Sequence, residues 1–95
     1  MEVNDAYKQK LAAQLKEWTA QINLLEAKVE NAEADMKLKR LDVVKKLRTQ
    51  QHLAVEKMKE LEKSSTDAWG QVKLTAEKIW SDLKDGLADA HAKFK

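Results

Sequence analysis

The sequence predicts an all-α protein in which a long coiled-coil helix is followed by a shorter helix that carries tryptophans. The 95-residue chain contains no proline and only two glycines, so few residues in it interrupt a helix. Apolar residues recur every three or four positions in its first part, and Trp69 and Trp80 stand 11 residues apart in its last part. We expect the helices to form a hairpin or a helix bundle that is completed by oligomerisation.

The long helix is predicted over residues 1–63, with Asn4 or Asp5 as its N-terminal cap. From Leu11 to Met36 the apolar residues are alternately four and three positions apart, which is a heptad pattern. The predicted packing stripe consists of Tyr7, Leu11, Leu15, Trp18, Ile22, Leu25, Val29, Met36, Val44, Leu47, Met58 and Leu61. Because a continuous helix of this size would be roughly 90 Å long, the short tail helix cannot cover it, and we expect a homo-oligomer or a partner helix. The alternative is a compact three-helix bundle with a break near residues 31–35.

The break between the two predicted helices falls at residues 64–66. Ser64, Ser65 and Thr66 carry hydroxyl groups that compete for backbone hydrogen bonds, and they precede Asp67. Ser64 and Asp67 approximate a capping box, in which a side chain at the start of a helix pairs with a backbone N–H. The segment contains no glycine or proline, so a straight helix through it remains the alternative to a turn.

The second helix is predicted over residues 67–95, where an 11-residue repeat keeps its apolar residues on one side. This tail face consists of Trp69, Val72, Ala76, Ile79, Trp80, Leu83, Leu87 and Phe94. A wide face with tryptophans also suits a peripheral helix at a membrane surface, which is the alternative function. Residues 64–95 contain five lysines and five acidic residues, however, so no net charge draws them to anionic lipid. Packing against protein is therefore preferred.

A nucleic-acid-associated helix is a weaker alternative. Residues 37–48 contain six basic residues and one acid, but the whole chain has a net charge of only +2. Acidic residues also stand four positions before several of these lysines, as in Asp42 and Lys46, which is typical of a solvated helix. We expect no binding of nucleic acid.

Enzymatic activity is not expected, and the sequence suggests no catalytic, cofactor or metal residues. His52 and His91 are far apart and belong to no metal-binding spacing, and the hydroxyl residues near Ser65 have no neighbouring base. The chain has no cysteine, no secretory signal pattern and no apolar span. These features favour the cytoplasm.

Two stretches of the chain resemble a family of small bacterial coiled-coil proteins labelled as stress-response proteins and first noted in cyanobacteria. The stretches are Asp5 to Asp35 and Asp67 to Lys84, with the tryptophans at positions 18, 69 and 80 as their most specific feature. The resemblance covers about half of the chain and implies a non-enzymatic structural or interaction role in a bacterial stress response. It implies no site residues, because the molecular activity of that family is not established.

Overall fold

Three helices account for nearly all of the described chain. The computed structural model describes residues 3–94, in which α1 is Val3–Glu30, α2 is Ala34–Lys63 and α3 is Thr66–Lys93. The helices pack side by side into a bundle measuring 50 × 20 × 18 Å, and α2 runs antiparallel to both neighbours. Within residues 3–94 no strand is present, and the predicted all-α class is confirmed.

The predicted single helix over residues 1–63 differs from the structure, because the chain reverses direction at residues 31–33. Ala32 donates its backbone N–H to the Val29 carbonyl at 3.1 Å, which ends α1 in a tight turn. The Asn31 amide donates to the Ala27 carbonyl at 3.3 Å, and Glu33 is extended with φ −65° and ψ 154°. The reversal lays the apolar stripe of α1 against α2, so most of this stripe is buried within one chain.

The second connection is formed by Ser64 and Ser65, which are both extended. The Ser65 hydroxyl accepts the backbone N–H of Ala68 at 3.3 Å and so caps α3. The Ser64 hydroxyl instead donates to the Glu60 carbonyl at 2.7 Å, at the end of α2. The capping residue is therefore Ser65 and not Ser64, because Ser64 serves the preceding helix.

The core runs along the whole bundle and is apolar. Its buried residues are Leu11, Ile22, Leu25, Val29, Val44, Leu47, Ala54, Leu61, Ala76, Trp80, Leu83, Leu87, Ala90 and Phe94. Among residues 4–94 no polar or charged residue is fully buried. Complete burial of a large aliphatic side chain such as Ile22 contributes about 1.5–3 kcal/mol, so a core of this size holds the bundle together.

Helices α2 and α3 approach each other closely at Gly86. A Cβ atom at this position would lie 2.7 Å from Oε1 of Gln50 and 3.2 Å from Cδ2 of Leu47. Because glycine has no Cβ atom, these two side chains of α2 can pack directly against α3 at this position.

Candidate functional site

The residues of the predicted stripe and tail face converge on one core. The buried residues of the stripe are Leu11, Ile22, Leu25, Val29, Val44, Leu47 and Leu61. Its partly buried residues are Tyr7, Leu15, Trp18 and Met58. The tail face has Ala76, Trp80, Leu83, Leu87 and Phe94 buried, and Trp69, Val72 and Ile79 partly buried. Met36 differs from the other members because it is 40% exposed, beside the first turn.

A hydrogen-bond cluster around Arg48 joins α1 to α2. The Arg48 guanidinium donates to Oδ1 of Asn23 at 2.6 Å and to Oε2 of Glu26 at 3.0 Å. It also donates to Oε1 of Gln51 at 2.9 Å, and the Gln51 amide donates onward to the Thr19 hydroxyl at 2.9 Å. Because a guanidinium fork needs its acceptors in fixed positions, the cluster selects one alignment of the two helices.

Polar contacts of a different kind join α1 to α3. The indole N–H of buried Trp80 donates to the backbone carbonyl of Leu11 at 3.2 Å, so the ring is both packed and hydrogen-bonded. Further along, Nε2 of His91 lies 3.1 Å from Oε1 of Gln21. Trp80 and His91 thus both serve to hold α3 beside α1.

Aromatic rings close the end of the bundle where α1 and α3 begin. The Tyr7 and Trp69 rings meet edge to face, with centroids 6.0 Å apart at 81°. Lys8 lies over the Trp69 ring at 5.4 Å and Lys73 over the Tyr7 ring at 4.9 Å, so each ring faces a cation. Burial raises the pKa of the Tyr7 hydroxyl above its ordinary value, and the Glu77 carboxylate raises it further. The phenol therefore stays neutral at physiological pH and acts as a packing group.

The six basic residues within positions 37–48 of α2 do not share one face. Arg48 belongs to the cluster with Glu26, Arg40 lies over the Phe94 ring at 5.1 Å, and Lys46 pairs with Asp42 at 3.7 Å. A surface that follows a nucleic-acid backbone needs adjacent cations directed the same way. Three of the six basic residues point instead to three different intramolecular contacts.

Over residues 3–94, no three side chains of the metal-binding types lie together. In that part of the chain, none of the helices has an apolar stretch of the length and hydropathy that a membrane crossing needs.

The outward side of α2 carries apolar residues that the stripe did not include. Leu38 is 73% exposed and Leu41 is 36% exposed, and they stand three positions apart on the same side of the helix. Exposed Lys45 and His52 follow them at helical spacing. We call these four residues the outer α2 face.

After Met36 the alternating four- and three-residue spacing of the stripe becomes irregular, and this irregularity was the sequence signal for the outer α2 face. The next stripe position is either Arg40 or Leu41 by spacing alone. In the structure Arg40 is partly buried against Phe94, and Leu41 faces outward. Hydrophobicity alone would have assigned these two positions the other way round.

Comparisons with protein-family models, curated proteins and solved structures found no match to this chain. A function for it is therefore proposed from the contacts and exposed surfaces of the three helices, together with the resemblance described above.

Proposed function

We propose that this chain is a non-enzymatic structural and interaction protein that assembles with copies of itself as part of a bacterial stress response. The observation that carries this proposal is the outer α2 face. Leu38, at 73% exposure, and Leu41 lie together on a helix whose opposite side is already buried. Neighbouring apolar residues in such a position favour contact with another protein.

The polar side chains support an interaction role because their hydrogen bonds hold the three helices of the bundle together. Arg48 fixes α1 against α2, and Trp80 and His91 fix α3 against α1. Ties of this kind keep a helical surface in one shape, and a rigid surface loses little conformational entropy when a partner binds.

Self-association in this proposal differs from the coiled coil expected from the stripe. Ile22, Leu25 and Val29 are buried inside the bundle, so they do not require a second chain. The bundle instead has sides of 50 by 20 Å. One such side is large enough for the roughly 800 Å² per partner that a stable interface buries.

The stress-response role rests on the resemblance of residues 5–35 and 67–84 to the small bacterial coiled-coil family. The cytoplasmic location favoured by the sequence belongs to the same proposal. The membrane-surface alternative has less support, because the buried residues of the tail face, such as Trp80 and Leu83, are packed in the core.

The test is the solution mass of the full chain across the micromolar range, measured by sedimentation equilibrium. We expect a mass above the monomer value of 10.9 kDa that rises with concentration. A double variant with Leu38→Lys and Leu41→Lys should remain monomeric, because charges on the outer α2 face resist burial.

The matched control is a double variant with Leu24→Lys and Leu74→Lys. These leucines are 65% and 64% exposed on α1 and α3, and the change of charge is the same as in the α2 variant. The control should associate as the wild type does. A wild-type monomer at every concentration, or equal loss of association in both double variants, would contradict assembly through α2.

A further inference from the structure

A small cavity lies between the beginning of α2 and the end of α3. It has a volume of about 210 Å³. We call it the Phe94 pocket, and it is lined by Met36, Lys39, Arg40, Val43, Lys93 and Phe94. The lining therefore combines three apolar side chains with three cationic ones.

Two of the cationic side chains of the Phe94 pocket differ in their contacts. Lys93 pairs with Asp89 at 3.0 Å, which offsets its charge. Arg40 lies with its guanidinium carbon 5.1 Å from the centre of the Phe94 ring. Its Nε is shielded from solvent and has no hydrogen-bond partner among the residues that the structure describes. The shielded Nε does not itself open into the cavity, but none of the ion pairs among the described residues includes Arg40, so the positive charge of its guanidinium is available to an anion in the pocket.

We propose that the Phe94 pocket binds a small amphiphilic carboxylate, meaning an anion with a short apolar chain. The carboxylate accepts hydrogen bonds from the Arg40 guanidinium, which matches a carboxylate in shape and charge. The apolar chain packs against Met36, Val43 and Phe94. Met36 suits this role because its unbranched side chain adapts to ligands of different shape.

The size of the pocket selects the class of ligand. A volume of 210 Å³ is below the roughly 300–1,000 Å³ of pockets that enclose drug-sized molecules. A medium-length fatty-acid anion fits this limit, whereas a folded partner segment does not. The pocket shares no residue with the outer α2 face, so ligand binding and self-association can be tested independently of each other.

The test is a titration of the ¹⁵N-labelled full chain with octanoate, followed by amide chemical shifts. We expect saturable shifts centred on Met36, Val43 and Phe94. Octanol and octyltrimethylammonium are matched probes with the same chain and a neutral or cationic head. They should bind at least about tenfold more weakly, since they offer no carboxylate to Arg40. Equal binding of octanol and octanoate, or shifts spread evenly over the three helices, would overturn the proposal.

Variants separate the role of Arg40 from general electrostatic attraction. Arg40→Gln should weaken octanoate binding by about tenfold or more. Lys37→Gln, which removes one exposed charge from the same helix outside both the pocket and the outer α2 face, should leave the affinity within about twofold. Equal affinities in these two variants would contradict the proposed site.

A third variant keeps the proposal testable if Arg40→Gln fails to fold. Lys39→Gln removes a charge from the rim without touching the cation above Phe94, and circular dichroism reports whether the helices persist. It should weaken octanoate while leaving octanol unchanged. An equal effect on both probes would overturn recognition of the anionic head.

Discussion

The two connections of the bundle reverse the chain by different means. At the second, the Ser65 hydroxyl caps α3 and the Ser64 hydroxyl bonds to the last turn of α2. At the first, Glu33 begins α2 without a side-chain hydrogen bond. At both connections a side chain bonds to the end of the preceding helix, since the Asn31 amide donates to the Ala27 carbonyl at the first. Only the second connection also caps the start of the following helix, so at the first the start of α2 depends on the packing of the helices. The difference teaches that a helix start without a side-chain cap depends more on distant contacts.

The two ends of the bundle also differ in the residues that lie beside each connection. Near the second connection, Leu61 is completely buried, and the paired rings of Tyr7 and Trp69 cover that end of the bundle. Near the first connection, Met36 is 40% exposed beside the Phe94 pocket. The end where α2 lacks a side-chain cap thus has a small cavity with three apolar lining residues. The cavity beside Ser64 and Ser65 is larger, at about 540 Å³, but charged and hydroxyl side chains make up most of its lining.

The largest expected effect comes from removing a side chain at each end. Leu61→Ala should lower the free energy of unfolding by about 2–5 kcal/mol, because it empties a fully buried site. Met36→Ala, the matched truncation beside the first turn, should change it by no more than about 0.5 kcal/mol, as is usual at exposed positions. Urea denaturation followed by circular dichroism measures both. Equal losses would mean that the two ends are packed equally well.

An intermediate effect is expected from the cap itself. Ser65→Ala should lower the free energy of unfolding by about 1 kcal/mol, since it leaves the Ala68 N–H without its acceptor. Ser64→Ala is the control, because the Ser64 hydroxyl donates to a helix carbonyl and caps no N–H group. It should cost less than half as much in the same urea titration. A larger loss for Ser64→Ala would contradict the assignment of Ser65 as the cap.

The all-α class could be predicted because helix formers and regular apolar spacing act locally. The first turn could be named only as the alternative to a continuous helix, since the heptad pattern continues through it from Val29 to Ala32 and Met36. The reversal at Asn31–Glu33 buries Val29 and leaves Met36 40% exposed, and the regular spacing of the sequence gives no sign of it. Only the contacts between helices distinguish one long helix from two antiparallel ones.

The contacts of the candidate sites could not be predicted from the sequence for the same reason. Arg48 meets Asn23 and Glu26 across 25 and 22 positions of sequence, and these pairings exist only after the chain has turned. Arg40 also meets Phe94 across the bundle, which no local pattern indicates. Sequence spacing identified which residues are apolar and helical, but it could not identify which polar residues face one another.

The smallest expected effect comes from giving the first connection the cap it lacks. Glu33→Asp keeps the negative charge near the N-terminus of α2 and provides a shorter carboxylate, which reaches the backbone N–H groups of the first turn. The extended backbone of Glu33, with φ −65° and ψ 154°, already has the conformation of a capping residue. We expect the free energy of unfolding to rise by about 0.5–1 kcal/mol in urea titrations. Glu33→Gln, which adds no cap, is the control and should not stabilise the bundle. No gain for Glu33→Asp would mean that packing alone determines this turn and that its missing cap has no energetic consequence, whereas an equal gain in both variants would mean that the gain does not come from capping.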